Sequence, residues 1–458
     1  MTSTRLVPAR VEARAAPRGR FPWTFGPLTL RLLLLGLLLL VPVWIDRRAI
    51  VAVIAWDAVV LAAWAMDLHR LPRPGAVIVS RSWTDPVTLG VPQVVRLDLR
   101  NEGGATLLAH VTDFASAVLR PVPPELSLTV PARGEARAEY EILPGARGDA
   151  TLGFVALRYR SATGLAERWA GASLPQTVRV YPDIGDARRQ AFALIRARQI
   201  VVEKRRASAH GLGRDFESLR EFQQGDEVRD VCWTATARRG RLVTRTYRPE
   251  RSQTVWIVVD AGRLMRARDG RHTGLDRAVN AAFALAQVAS GAGDRVALHA
   301  YGRGTQQRVP PGRGGPHLRV FLEALALTRG EPAEADHARA AAAVMSAQKR
   351  RALVVWLTDV AESAAVPEVI ESAARMVPRH VLVLAVTRPP ELTALAGRVP
   401  DTERDLYRVM AAQEMVERRA VLLGHLRQRG AMAIEVPSAE LTGAVVDRYL
   451  GVKERNLL

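Results

Sequence analysis

The chain has 458 residues, enough for about three domains and a sizeable core. Its net charge of +19 is carried almost wholly by arginine, the lysines being Lys204, Lys349 and Lys453. The plain source is an Arg- and Ala-rich composition, the sharper one an attraction to anionic lipid or nucleic acid. The lone Cys232 excludes an intrachain disulfide and suits a reducing compartment, and without clustered histidines no zinc site of the usual spacing can be drawn.

Residues 1–27 are rich in Arg and Pro and read as a disordered tail. Leu28–Ile45 is almost wholly apolar, broken by Arg31 near its start; Asp46-Arg47-Arg48 interrupts, and Ala49–Met66 is apolar again apart from Asp57. Each run has 18 residues, or about 27 Å of helix, just short of a hydrocarbon core of roughly 30 Å. Two such runs joined by a tight polar turn predict a transmembrane helical hairpin over 28–68. A second span following at once, and no small-residue cleavage site, argue against a cleaved signal peptide. Arg5, Arg10, Arg14, Arg18 and Arg20 precede the first run, and Arg70, Arg73 and Arg81 follow the second. The positive-inside rule places both ends, and all the soluble mass, in the cytoplasm. Asp57, in mid-span, reads as a packing or association site.

Residues 76–181 show period-two alternation. Val95, Leu97 and Leu99 alternate with Arg96, Asp98 and Arg100 before the turn Asn101-Glu102-Gly103-Gly104. Leu126, Leu128 and Val130 alternate, as do Ala136, Ala138, Tyr140 and Ile142, and Val155, Leu157 and Tyr159. Such strands between Gly, Pro and Asn turns predict a small antiparallel β-sandwich. No catalytic constellation is visible in it.

Residues 182–250 form a connector and an extension. Ala187–Arg206 is basic and helical, either a connector with a solvated face or a segment drawn to the anionic inner leaflet. Gly211–Glu250 then mixes dense alternating charge with Phe216, Phe222 and Trp233. Gly225-Asp226 reads as a turn, and Arg241–Tyr247 as a strand. So short a segment has no core of its own. Its aromatics should be covered by the domain that follows, with Trp233 buried as the anchor and Cys232 a small buried residue.

From Thr254 strand and helix alternate. Thr254–Val259, Arg295–Tyr301, Leu353–Leu357, Val381–Val386 and Met432–Val436 read as strands. Helices are expected over Thr273–Ser290, around His317–Leu327, over Asp336–Gln348, Asp401–Arg429 and Glu440–Leu450, with Thr273 and Asp276 at capping-box spacing. This is an α/β, doubly wound, Rossmann-like parallel sheet over 251–458. No GxGxxG or GxxxxGK[ST] follows its first strand, which excludes dinucleotide and P-loop readings. Asp260 and Asp359 end two strands and should meet at the carboxyl edge, where such sheets hold ligands.

The run GRDFESLREFQQGDEVRDVCWTATARRG, followed by YRPER and an apolar strand ending in Asp, resembles the signature of the domain-of-unknown-function family 58. The positions that carry it include Arg214, Asp215, Phe216, Leu219, Arg220, Gly225, Asp226, Arg229, Asp230, Trp233, Ala237 and Arg238. PGARGDATLGFVALRYRSATGLAERW, VRVYP and the C-terminal AVVDRYLGVKERNLL resemble other parts of the same family. The resemblance implies a bacterial membrane protein whose last domain is similar to a von Willebrand factor A (vWA) domain. It also implies the company of MoxR-type AAA+ ATPases, with a role as adaptor or co-chaperone.

Metal-binding vWA domains hold Mg²⁺ through a DxSxS loop, a distant Thr and an Asp. Here the loop reads Asp260-Ala261-Gly262-Arg263-Leu264, with Gly and Leu at the two serine positions, and Glu334-Ala335-Asp336 stands where a Thr would be expected. Asp260 and Asp359 alone are a thin set for a hard divalent cation, so no cofactor is expected and Mg²⁺ is the one metal to test. The reading is a non-enzymatic scaffold at the bacterial inner membrane, its soluble domains cytoplasmic, that binds a protein partner. A metal-dependent hydrolase at Asp260 and Asp359 is one alternative, lacking a visible base or nucleophile. A nucleic-acid-binding protein is the other, weakened by carboxylates interleaved among the signature arginines.

Overall fold

The protein is described here from a computed structural model. It covers residues 10–41, 44, 47–83, 86–183, 185, 215–223, 231–248, 253–360, 366–388, 390–455 and 457–458. The chain divides into two compact units, Met1–Tyr181 and Pro182–Leu458. The expected connector helix, Ala187–Arg206, lies outside the described residues.

The first unit contains strands β1 (Val11–Arg14), β2 (Ala16–Pro17) and β3 (Trp23–Phe25), then helices α1 (Pro27–Gly36) and α2 (Ile50–Arg70). Strands β4 (Val77–Ser82), β5 (Gln93–Asn101), β6 (Leu107–Ala115), β7 (Glu125–Val130), β8 (Glu135–Ile142), β9 (Gly148–Arg160) and β10 (Ala166–Val180) follow. They form two antiparallel sheets, in the orders β1-β4-β5-β8 and β2-β10-β9-β6-β7, with β3 also on β10. Both line one apolar core. Alternation does the sorting: Val95, Leu97 and Leu99 of β5 point into that core, while Arg96 and Asp98 pair across the outer face with Glu139 and Arg137 of β8.

One polar group is buried between the sheets. Arg81 of β4 donates from Nε to Asp113 Oδ2 of β6 (2.9 Å), from Nη2 to Asp113 Oδ1, and from Nη1 to the carbonyl of Leu174 in β10 (3.1 Å). Tyr140 of β8 donates to the same Asp113 (2.7 Å). Neither charge reaches solvent, so each depends on the other.

Two expectations for this unit change. Residues from Arg10 onward are not a disordered tail. Val11–Arg14 adds a strand to β4, and Ala16–Pro17 and Trp23–Phe25 pair with β10. The period-two run Val11, Ala13, Ala15 supplies an inner face, Ala15 being buried, and Arg14 bonds Glu102 at 2.8 Å. The first apolar run is also not one 18-residue helix. α1 ends at Gly36 and a 3-10 turn, Leu37–Leu40, follows. Gly36 lowers helix propensity and Pro42 stops a helix in the sequence itself. Among the described residues one helix, α2, is long and apolar enough to cross a membrane, by length and composition. Gly36 also has a packing role. A Cβ there would meet Trp56 Cδ1 at 2.7 Å, and Trp56 donates from Nε1 to the carbonyl of Leu32 at 2.9 Å.

The second unit begins with strand β11 (Asp215–Glu221), helix α3 (Trp233–Arg239) and strand β12 (Val243–Arg248). Next come β13 (Thr254–Asp260), the two-residue strands β14 (Arg268–Asp269) and β15 (His272–Thr273), α4 (Gly274–Gly291), β16 (Arg295–Tyr301), β17 (Thr305–Gly312), α5 (Gly315–Leu327) and α6 (His337–Ala347). The last elements are β18 (Leu353–Thr358), α7 (Val366–Met376), β19 (Val381–Arg388), α8 (Pro390–Ala396), α9 (Glu403–Gln428), β20 (Met432–Pro437) and α10 (Leu441–Glu454). The main sheet has the order β17-β16-β13-β18-β19-β20. All its pairs are parallel except β16–β17. That antiparallel edge strand was not visible in the sequence; Pro310 and Pro311, which lack N–H donors, suit an edge.

Helices cover both faces. Val255, Ile257 and Val259 of β13 share a core with α4, α5 and α10. Trp256 and Val258 share another with α6, α7 and α9. This is why β13 reads as a continuous apolar run. The capping box at the start of α4 forms as its spacing predicts: Asp276 N–H donates to Thr273 Oγ1 (3.1 Å) and Thr273 N–H to Asp276 Oδ2 (2.8 Å).

Replacing Asp113 with Ala should strand the Arg81 charge and lower the unfolding free energy of the purified chain by about 3–5 kcal/mol. Arg81→Met with Asp113→Leu, which removes both charges, should cost much less. Denaturant unfolding measures both; equal losses would show that packing, not charge, sets the cost.

Candidate functional site

β13 and β18 are parallel neighbours, with Val259 opposite Leu357, so Asp260 and the Thr358-Asp359 pair emerge together at the carboxyl edge. Asp260 is buried. Its Oδ1 accepts the N–H of Gly262 (2.7 Å) and its Oδ2 the hydroxyl of Thr358 (2.6 Å). Burial pushes its carboxyl up to about 6; the two donors pull it down, and the charge of Asp359 adds to the rise. Asp359 is partly buried. Its Oδ1 accepts the N–H of Val360 (2.8 Å) and both terminal nitrogens of Arg419 (3.0 Å each). Burial raises its pKa and the Arg419 guanidinium opposes that rise.

Arg419 of α9 is the group that sequence reasoning missed. Its Nε donates to Glu435 of β20 (3.0 Å), Nη1 also to the carbonyl of Val360, and Nη2 also to the carbonyl of Thr387 in β19 (2.7 Å). Sixty residues separate it from Asp359, and nothing local marks it among the many arginines of α9. A buried guanidinium therefore supplies positive charge at the edge where a bound cation would otherwise act.

The loop after β13 is closed in the same way. Arg263 N–H donates to Ala333 O (2.8 Å), Glu331 N–H to Ala261 O (2.7 Å), and the Arg263 side chain to Glu334 (3.1 Å). Asp336 caps α6 by accepting the N–H of Arg339 (2.8 Å). Gly262 stands against Ala335: an added Cβ would lie 2.9 Å from both its Cβ and its N. A serine does not fit there without displacing the loop. No group of three or more His, Cys, Asp or Glu suited to a metal occurs among the described residues. The edge holds a carboxyl–hydroxyl pair and an ion pair, with each carboxylate already engaged by protein donors.

The signature residues divide differently. Arg214, Gly225, Asp226, Arg229 and Asp230 lie outside the described residues, while Asp215, Phe216, Leu219 and Arg220 fall on β11. β11 pairs antiparallel with β12, so the expected strand near Arg241–Tyr247 has a partner the sequence did not announce. Trp233 is not the buried anchor: it is 63% exposed. The anchor is made by Val231, Cys232 and Val243, all buried. Cys232 N–H donates to Val243 O (2.7 Å) and Val243 N–H to Thr236 Oγ1 (3.1 Å), which fastens α3 to β12. Gly240, at φ 67°, ends α3 in the left-handed conformation. With Cys232 turned inward, α3 presents Trp233, Ala237, Arg238 and Arg239 to solvent, beside the exposed Arg241 and Leu242. Arg241 pairs with Glu221. The first unit has a groove of about 510 Å³ on its larger sheet, lined by Arg18, His110, Thr112, Arg158 and Trp169, with no carboxylate pair in it.

Residues 218–414 match the family model described as protein of unknown function DUF58. Uncharacterized proteins of Mycobacterium bovis and Mycobacterium tuberculosis are 30% identical over 151 residues, which is 32% of this chain and 48% of theirs. The match thus spans about half the length of these curated relatives. Among solved structures, BatB from Bacteroides thetaiotaomicron, a conserved hypothetical protein, is 14% identical, covering 44% of this chain and all of that one, at a TM-score of 0.27. A PapD-like domain of human CEP192 is 13% identical over 22% of this chain and 84% of its own, at 0.17.

Two outcomes are expected at this edge. An unfolded aspartate titrates near 3.9, roughly two units below Asp260 here, so as pH rises the unfolded chain loses its proton first. The neutral Asp260 carboxyl therefore stabilises the fold fully below about pH 4, and that contribution is lost as pH passes about 6. Asp260→Asn should gain stability relative to the parent between pH 4 and pH 7, by up to about 3 kcal/mol. A pH-independent difference in unfolding free energy would show that Asp260 ionises normally. Gly262→Ser should lower the unfolding midpoint and bring no calorimetric Mg²⁺ binding tighter than millimolar; micromolar binding would show that the loop can yield.

Proposed function

We propose that the chain is a membrane-anchored, non-enzymatic scaffold at a bacterial cell membrane, its second unit a degenerate vWA-like domain that docks a protein partner. The observation that carries this reading is the exposed Trp233 on a short helix rich in arginine, rigidly fastened to a strand pair. An exposed indole beside guanidinium groups and Leu242 is the composition of an interaction hot spot. The sealed strand edge supports the same reading from the other side. Asp260 and Asp359 accept hydrogen bonds from Thr358, Gly262 and Arg419, which weighs against the hydrolase alternative.

The membrane part of the proposal is a two-span hairpin with both ends cytoplasmic. It is supported by the outward leucines of α1 and its 3-10 turn, Leu34 being 70% exposed, by the contact of Trp56 with Leu32, and by the arginines outside both runs. The partner chemistry is an acidic surface with an apolar pocket for Trp233, and a MoxR-type AAA+ ATPase from the same genome is the first candidate. Glu221, set against Arg241, argues for a protein over a nucleic acid.

Trp233→Ala and Arg238→Glu/Arg239→Glu should leave unfolding within about 0.5 kcal/mol of the parent, because these side chains are exposed. Each should weaken binding to the purified ATPase at least about tenfold, the effect of losing a hot-spot contact worth roughly 1.4 kcal/mol or more. Surface plasmon resonance with the detergent-solubilised chain reads both. Unchanged affinity would remove α3 from the interface; no binding by the parent would remove the ATPase.

A further inference from the structure

Both helices of the first unit rest on one hairpin turn, residues 161–165 between β9 and β10. At the foot of α1, Gly26 N–H donates to Leu165 O (2.7 Å) and Thr29 Oγ1 to the same carbonyl (2.8 Å). A Cβ at Gly26 would fall 2.2 Å from the Gly164 carbonyl oxygen, so only glycine allows this approach. At the foot of α2, buried Asp67 accepts the hydroxyl of Ser161 and the N–H of Ala166 through Oδ2, both at 2.8 Å. Arg168 donates to Leu68 O (3.0 Å) and Tyr159 to Pro72 O (2.9 Å). Each helix is thus bolted to the sandwich by several hydrogen bonds, not joined to it by a loose linker.

Around these feet lies a collar of aromatic rings. Trp64 packs on Trp23 (centroids 5.3 Å apart) and Phe25 (4.9 Å), and Trp23 on Phe21 (5.8 Å). Trp64 Nε1 donates to Thr24 O (3.3 Å). Phe21 is 69% exposed, Trp23 is also exposed, and so are Arg20, His69 and Arg70. On one side of the collar are the exposed leucines of the helices, on the other the polar sandwich. Rings with an apolar body and a wet end, mixed with guanidinium groups, match the headgroup layer of a bilayer, and the arginines match lipid phosphates.

We propose that this collar is a lipid-headgroup surface. Phe21 and Trp23 lie in the headgroup layer of an anionic leaflet, Arg20 and Arg70 meet its phosphates, and the β9–β10 turn holds the sandwich against the bilayer at a set depth. The inference rests on the membrane reading above. It is specific about where the bilayer ends along the chain.

The test is spin-label accessibility on the full chain in a Cys232→Ala background, with labels introduced singly by Phe21→Cys, Leu35→Cys and Glu135→Cys. The chain is reconstituted in nanodiscs of phosphatidylcholine and phosphatidylglycerol at 3:1. The label at 35 should favour collisions with oxygen over those with a water-soluble nickel chelate. The label at 135 should do the reverse. The label at 21 should be intermediate, with severalfold less nickel access than 135, and should gain nickel access in pure phosphatidylcholine. A label at 35 open to nickel would overturn the membrane reading itself. A label at 35 in lipid with 21 as open as 135 would overturn the collar alone, as would a label at 21 closed to both quenchers, which would mean a protein covers it.

Discussion

A guanidinium taken out of water has to find acceptors for its N–H groups, or it costs several kcal/mol. Arg419 meets that requirement in full: its five N–H groups reach Glu435, Asp359 twice, and the carbonyls of Val360 and Thr387. One side chain of α9 thereby ties together the ends of β18, β19 and β20. It holds Asp359 and the Val360 carbonyl in place and opposes the rise that burial imposes on the Asp359 carboxyl. The first unit solves a similar problem with Arg81 of β4, whose partners Asp113 and Leu174 come from two strands of the facing sheet. An arginine-rich chain thus uses a few of its cations as internal fasteners, and its net charge is a poor guide to what the surface binds.

Both fasteners are matched to carboxylates, and this shapes what the second unit can do. Asp260 accepts a donor on each oxygen, and Asp359 accepts three on Oδ1. The strand edge gains rigidity from these bonds, while α3 carries exposed side chains. There the fold does the opposite: it buries small residues, Val231, Cys232 and Val243, and leaves the largest side chain out.

Much of the fold was legible in the residues. The alternation in β5 and β8, the unbroken apolar run of β13, and Thr273 with Asp276 each specify their element through local physics. Asp260 and Asp359 were found because strand ends can be counted. What was missed depends on tertiary partners. Val11–Arg14 becomes a strand only because β4 has a free edge, and Thr305–Gly312 only because β16 does. Arg419 looks like any other surface arginine until α9 is laid on the sheet. Trp233 was misread because apolar area predicts burial on average, whereas here the backbone bond from Cys232 to Val243 turns the neighbouring residue inward instead. Of the signature positions, Arg220, Trp233, Ala237 and Arg238 are exposed and show a presented surface, not a core.

The contact between Gly262 and Ala335 limits what the loop can accept. The space a hydroxyl at 262 would need is filled by the backbone and methyl group of Ala335, and Ala335 belongs to the loop that Arg263, Glu331 and Glu334 stitch down. Any single substitution toward a metal-ligating loop therefore meets a clash before it meets a cation. Building a metal site there would take simultaneous changes at 262, around 335 and at Arg419. The edge is held by packing at 262 and by charge at 419, and neither hold is released by a change at the other.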